Sequence, residues 1–363
     1  MAGSPEMRPA MTTGEPVVGG AFLPHAPQFF TMPETEDKAT VARVRDVAAQ
    51  IGERLRALKP DLWILFSNDH AEQFFHNTAP PFTIHTGAEA SGEFAGRKFH
   101  FRVPGEIGLA LVRLLYEQGF DPAFSSTAKV DYAMGIPLTH LKHSDPVLPV
   151  YVNAYLPPQP LVARCYAFGQ AIARSVAILG LRAVVLASGG MSHFPGTDRY
   201  ANPELAWDKG VLERIAAGNL KLLAGISESE LDDKGNIELR CWACAAGALG
   251  ERKPDIVQLD PSWHHNYASV GFFSPPSAEA PAHYPAIKPE LVELTSALHA
   301  LAHDELARRQ YVADARAWAA KFQLTEAQRR ALIELDVPAM VAMGAHPLIP
   351  FLANMQIQRI RTK

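Results

Sequence analysis

Three short runs in this chain hold almost nothing but apolar residues: Val17-Val18-Gly19-Gly20-Ala21-Phe22, Leu62-Trp63-Ile64-Leu65-Phe66-Ser67 and Arg182-Ala183-Val184-Val185-Leu186-Ala187-Ser188. Runs of that length suit strands buried in the interior of a sheet. The segment 147–152 has the same character. Between the first two runs, residues 36–58 place Val41, Val44, Ala48, Ile51 and Leu55 at three- and four-residue steps, which predicts a helix ended by Lys59-Pro60-Asp61. Strand, helix, strand in that order implies a parallel pair joined by a right-handed crossover. The alternation continues with a helix over 107–118 before a strand at 121–125, and a helix over 161–179 before the third apolar run. Further helices are expected at 203–217, 227–234 and 237–249. The pattern predicts an α/β fold with a largely parallel or mixed central sheet flanked by helices.

The ends of the chain read differently. Residues 1–15 show no periodicity and are expected to be a flexible leader, so the α/β domain is placed at 16–274. Five prolines (Pro275, Pro276, Pro281, Pro285, Pro289) make 275–290 an extended connector. From 291 to 363 the pattern is wholly helical, with helices expected at 291–310 and 312–322. Thr325-Glu326-Ala327-Gln328 fits a capping box that opens another helix, and Pro338 suits the first turn of a last one. This region is expected to be a small all-α domain.

Charge and composition exclude several classes of function. With 34 Lys+Arg against 38 Asp+Glu the net charge is −4, so there is no strong basic field to gather nucleic acid or acidic lipid. No stretch of about 18 apolar residues occurs, which speaks against a membrane span. Three cysteines in 363 residues cannot form a disulfide framework. A soluble, cytoplasmic protein is expected.

The chain also has 14 histidines, and three of them fall just past the carboxyl end of an expected strand. His25 follows the first apolar run, His70 the second and His193 the third. Open parallel sheets bind ligands outside the carboxyl ends of their strands, so three strands would deliver imidazoles to one crevice. Asn68-Asp69-His70 sets an amide and a carboxylate beside one ring, the kind of neighbour that orients a ligand. Gly189-Gly190-Met191-Ser192-His193 puts glycines where backbone must come close to other atoms or take positive φ. Glu238, at the start of an apolar helix, is the candidate anion. Taken alone, it would equally suit the positive end of the helix dipole. If His25, His70 and Glu238 converge, they form two imidazoles and one carboxylate on one face of a metal, the arrangement of non-haem Fe(II) oxygenases.

These residues carry a resemblance. Pro24-His25, Asn68-Asp69-His70, Gly189-Gly190-Met191-Ser192-His193, Glu238 and Asn266 after His264-His265 resemble, in order from 17 to 273, the catalytic subunit of class III (LigB-type) extradiol dioxygenases such as protocatechuate 4,5-dioxygenase. The segment from 291 onward is similar to the small helical subunit of those enzymes, notably at Trp318, Leu324-Thr325, Ala339-Met340 and Gly344. The chain thus reads as the two subunits fused, as in gallate-type members. The resemblance implies that His25, His70 and Glu238 hold Fe(II), that His193 is the acid–base residue, and that Asn266 lies in the substrate-contacting loop. It also implies a homodimer or higher homo-oligomer. Tyr132, in Val130-Asp131-Tyr132, stands where the family usually has a histidine, so it is assigned to substrate contact and to the second catalytic position. His265 stands where a serine is common and is assigned to the substrate wall. Both departures imply a substrate other than protocatechuate.

The expected reaction is cleavage of a small aromatic ring beside one of two adjacent hydroxyls, with both atoms of O2 incorporated. The ring would be catecholic or of dihydroxypyridine type. An aminophenol is the alternative substrate, and a Zn-dependent hydrolase using the same ligands is the alternative chemistry. A binding protein of the same fold that has lost its chemistry is a third. Cys241-Trp242-Ala243-Cys244 is read as a pair of structural thiols, and His140 and His143 are read as peripheral. Of His264 and His265, an extended segment would let only one face the pocket, and His265 is preferred.

Overall fold

The structure is a computed structural model that describes residues 15–143, 146–276 and 284–362. The expected leader therefore lies almost wholly outside the described residues, as do 277–283 of the expected connector. The chain divides into two compact units, Met1–Ser277 and Ala278–Lys363.

Among the described residues of the first unit, eleven strands form in chain order: β1 (Val17–Leu23), β2 (Leu62–Ser67), β3 (Phe82–His85), β4 (Glu89–Phe94), β5 (Arg97–Arg102), β6 (Ala123–Ser125), β7 (Ala128–Lys129), β8 (Val147–Val152), β9 (Ala183–Ser188), β10 (Ile256–Pro261) and β11 (Asn266–Phe272). Eight of them make one sheet in the order β10-β11-β1-β9-β2-β8-β3-β6. The core ladders β1–β9, β9–β2 and β2–β8 are parallel, while β1–β11, β10–β11 and β3–β8 are antiparallel, so the sheet is mixed. Every residue of β2, β8 and β9 is buried, as their apolar composition requires of strands covered on both faces. The strand-helix-strand reading of β1 and β2 needs one correction. They are parallel but not adjacent, because β9 lies between them and bonds to both. Strands β5, β4 and β7 form a separate small sheet.

All eleven residues of the helix Leu239–Leu249 are buried, and it packs against the helix Val162–Ile178. Their approach is close. A Cβ built on Gly247 would lie 1.9 Å from the Tyr166 carbonyl oxygen. The helix Tyr132–Leu141, not anticipated from the sequence, contains Gly135 and Pro137 yet persists, with eight of its residues buried.

The second unit closes its own core with Leu294, Leu298, Leu301, Tyr311, Trp318, Leu332, Met340 and Ile357. The expected 291–310 helix is broken at Asp304, whose carboxylate accepts Leu306 N at 2.8 Å and opens the next helix, Glu305–Ala313. Thr325 and Gln328 do form the capping box of Glu326–Glu334. Pro338 sits in the first turn of Val337–Ala342, but a further helix, Leu348–Arg361, follows it. Among the described residues no helix is long and apolar enough to cross a membrane.

Candidate metal centre and cavity

Strands β1, β9 and β2 end level, with Leu23 paired to Ser188 and Phe66 to Ala187. The chain leaving each strand carries His25, His193 and His70 respectively. Glu238 approaches from the N-terminal end of Leu239–Leu249, its side chain making no capping bond to its own helix. The candidate ligand atoms of His25, His70 and Glu238 all lie within 4.8 Å of one another. His25 Nε2 is 3.1 Å and His70 Nε2 3.9 Å from Glu238 Oε1.

Each imidazole is held by its far nitrogen. Ser188 spends its one hydroxyl proton on the Ala133 carbonyl, so at 2.9 Å its oxygen must accept from His25 Nδ1–H. His70 Nδ1 lies 2.7 Å from Asp131 Oδ2, a carboxylate that can only accept. Asp131 is itself fixed as the N-cap of Tyr132–Leu141, taking Ala133 N at 2.7 Å. Both rings therefore turn Nε2 towards Glu238, the tautomer that a metal ligand needs.

Glu238 is fully buried. Its Oε2 accepts Gly190 N at 2.8 Å, and its Oε1 accepts Asn68 Nδ2 at 3.2 Å and the Tyr155 hydroxyl at 3.4 Å. Burial alone would raise its pKa, but the imidazoles of His25, His193 and His70 hold it well below the usual carboxylate value. Burial alone would lower the pKa of His70, yet Asp131 and Glu238 outweigh it and the value is raised. The pull that favours a proton on His70 favours a metal cation in the same place. Gly189 makes the approach possible: its φ is +125°, and an added Cβ would stand 2.8 Å from both Glu238 Cβ and Oε2. Two neutral-tautomer imidazoles and an ionised carboxylate, on one side only, fit a divalent transition metal that keeps open positions.

A cavity of about 90 Å³ opens over this group. Tyr132 lines it, stacked on His70 with centroids 4.3 Å apart and planes 20° apart. Burial first, then Glu238 and Asp131, raise its phenol far above the usual tyrosine range, so it stays a hydrogen-bond donor. Tyr155, which the sequence did not single out, lies 5.0 Å from the same ring, and its pKa is likewise raised by burial. His193 lines the cavity with its Nδ1 2.9 Å from the Met191 carbonyl, which leaves Nε2 as its free position. Burial lowers its pKa, outweighing the opposite pull of Glu238 and the Met191 carbonyl.

His193 stacks on His265 at 4.2 Å and 7°. His264 lines the cavity too, because the chain bends at 263–264 instead of running extended. Its Nε2 is 3.0 Å from Glu36, a buried carboxylate that sequence reasoning missed. Asn266 does not line the cavity. Its Nδ2 donates to Asp208 at 2.7 Å beneath the 189–193 turn.

Other expectations resolve locally. Asp69 does not orient His70: its carboxylate accepts the Gln73 and Phe74 amides, and Asp131 takes the role instead. Cys241 and Cys244 are buried free thiols in a packed helix. His140 is buried beside Phe29 and Phe30, each 5.7 Å away.

Comparison with known proteins agrees with this geometry. Residues 19–272 match the family described as the catalytic LigB subunit of aromatic ring-opening dioxygenase, and 294–355 match the LigA subunit of aromatic-ring-opening dioxygenase LigAB. The chain belongs to the LigB family and is an aromatic ring-cleaving dioxygenase of the extradiol, metal-dependent class. It is 28% identical over 283 residues to a 2,3-dihydroxyphenylpropionate/2,3-dihydroxicinnamic acid 1,2-dioxygenase of Cupriavidus necator, covering 63% of this chain and 90% of that protein. It is 33% identical over 231 residues to the Escherichia coli (strain 55989 / EAEC) protein of the same name, covering 62% of this chain and 69% of that one. A solved structure of an uncharacterized protein from Escherichia coli K12 aligns over 70% of this chain and 99% of that chain, with a TM-score of 0.45 and 14% identity.

Proposed function

We propose that this chain is an Fe(II)-dependent extradiol dioxygenase that opens a small catecholic or dihydroxypyridine-type ring. The observation that carries the reading is the convergence of the His25, His70 and Glu238 ligand atoms beneath one cavity. Fe(II) held there supplies a Lewis-acidic charge that acidifies a diol hydroxyl, together with a path for electrons between ring and O2. The residues around it do the rest. Ser188 and Asp131 keep Nε2 of each imidazole presented, and Glu238 supplies one negative charge from a dry setting. His193 Nε2 takes a proton from the substrate hydroxyl and returns it as the ring opens, work suited to an imidazole that is neutral near pH 7. Tyr132 donates a hydrogen bond from the wall, and His265 flanks the ring on the His193 side. Asn266 acts from beneath, through the loop that carries His265. Relatives that act on 2,3-dihydroxyphenylpropionate by name support a vicinal diol as the reacting unit. The matched LigA-like segment supports assembly as a homodimer or higher homo-oligomer. Three free cysteines are consistent with a cytoplasmic setting.

The test is anaerobic loading with Fe(II) or with Zn(II), followed by O2 uptake across a panel of dihydroxylated rings and an aminophenol. Iron-dependent uptake with a diol is expected. Activity with zinc alone, without O2 consumption, would replace this reading with the hydrolase one. His25→Ala, His70→Ala and Glu238→Ala should each lose stoichiometric iron. His193→Gln should keep it and lose roughly 10²–10⁴-fold in turnover.

A further inference from the structure

Asp208 lies in the first turn of the helix Leu205–Ala216, is fully buried and does not line the cavity. Among the described residues no cation pairs with it; three N–H donors hold it instead. Its Oδ2 accepts Ser192 N at 3.1 Å and Asn266 Nδ2 at 2.7 Å, and its Oδ1 accepts Asn236 Nδ2 at 3.0 Å. The positions of those donors are informative. Ser192 precedes His193, Asn266 follows His265, and Asn236 stands two residues before Glu238. A buried carboxylate held only by neutral donors is a costly way to stabilise a fold, and an apolar residue would cost less. What it supplies is a fixed geometry between segments far apart in sequence.

The geometry is most specific at Oδ2. One oxygen atom bonds the residue before His193 and the residue after His265, and those two histidines face each other as an isolated β-bridge with their rings stacked at 4.2 Å. The backbone adds two bonds at the same junction, Asn266 N to the Ser192 carbonyl at 3.2 Å and Met191 N to the Asn266 carbonyl at 2.9 Å, and Asp208 adds the side-chain link. No other side-chain bond among the described residues joins these two segments directly.

We propose that Asp208 is a positioning residue for the His193–His265 imidazole pair, setting where His193 Nε2 meets the substrate. The proposal rests on the dioxygenase reading for its kinetic consequence, but not for its structural one. Asp208→Leu keeps the approximate volume and branching but removes both oxygens, so Ser192 N, Asn266 Nδ2 and Asn236 Nδ2 all lose their acceptor and the clasp opens.

The experiment is a double-mutant cycle on the iron-loaded full chain, together with NMR of the histidine Cε1–H resonances in the unloaded protein. Assignments come from His193→Gln and His265→Gln. Asp208→Leu should lower kcat by roughly 10- to 100-fold, the scale on which a misplacement of about 1 Å is felt. It should cost little further in a His193→Gln background, because the two act as one unit. The ring-current-shifted resonances of His193 and His265 should move towards the position of exposed His100. An equal loss of kcat with and without His193, or unchanged His193 and His265 resonances, overturns the proposal. Wild-type chain that takes up no O2 would defeat the dioxygenase reading alone, leaving the NMR arm to decide this one. If Asp208→Leu does not fold, Asp208→Ser is put through the same cycle. Failure of both to fold makes Asp208 a determinant of the fold and overturns the positioning role.

Discussion

His70 shows how one atom type decides the chemistry of the centre. Asp131 accepts Nδ1–H, so Nε2 must carry the lone pair that faces Glu238. Asp131→Ala removes both oxygens, and with them the acceptors of His70 Nδ1–H, His70 N and Ala133 N. Nothing then holds the proton on Nδ1, and it is free to sit on Nε2, where a metal should bind. Fe(II) affinity is therefore expected to fall by roughly 10- to 100-fold, measured by anaerobic titration. Unchanged affinity would show that Asp131 does not set the tautomer. The partners on which this depends were not legible in the sequence. His25, His70 and His193 announce themselves by following apolar strands, and Glu238 by opening an apolar helix. Asp131 is 61 residues from His70 and Ser188 is 163 from His25. Nothing local in the sequence links them. The carboxylate that did stand beside His70, that of Asp69, is used up by its own loop.

Between elements, the site depends on how closely two helices pass. Glu238 sits at the head of Leu239–Leu249, whose position is set where Gly247 meets the Tyr166 carbonyl oxygen. Gly247→Ala would force those backbones apart. A loss of about 1–3 kcal/mol in urea unfolding is expected, together with weaker iron binding as Glu238 shifts. Gly210 is the contrast, because it is helical and a Cβ there meets nothing within 4 Å. Gly210→Ala should gain about 0.5–1 kcal/mol and leave iron binding unchanged. The same scale explains what sequence reading found and missed. β2, β8 and β9 are buried on both faces and so read as unbroken apolar runs. β4 and β5 are largely exposed, with little apolar signal, and passed unnoticed. The helix Tyr132–Leu141 is hidden by Gly135 and Pro137, and burial of eight residues overrides their poor propensity. Adjacency was the remaining loss. An apolar run says that a strand is interior, not which strands flank it, so β9 between β1 and β2 had no signature.

For the whole molecule, acid stability follows from histidines the chemistry does not use. His85 and His140 are buried, and Nε2 of each has no hydrogen-bond partner among the described residues. Burial holds both pKa values down to about 4, from 6.5 in an exposed chain; the Arg45 and Arg97 charges add to the effect at His140. Below pH 6.5 the unfolded chain takes up protons that the folded chain refuses, so stability falls as pH drops from 6.5 towards 4. A shift of that size is worth about 3 kcal/mol for each histidine. Asp208 works in the opposite direction. Burial raises its pKa to about 6, so the folded chain binds its proton more readily than the unfolded one, and stability rises as pH falls from 6 towards 4. Two losses against one gain leave a net fall in acid from these three groups. Replacing His140 removes one loss without touching the metal ligands or the cavity lining. His140→Leu should therefore lose about 3 kcal/mol less than the wild-type chain between pH 7 and pH 4, measured by urea unfolding at both values. Equal losses in the two proteins would mean that His140 accepts its proton as readily in the folded chain as in the unfolded one, and that its place beside Phe29 and Phe30 does not exclude charge.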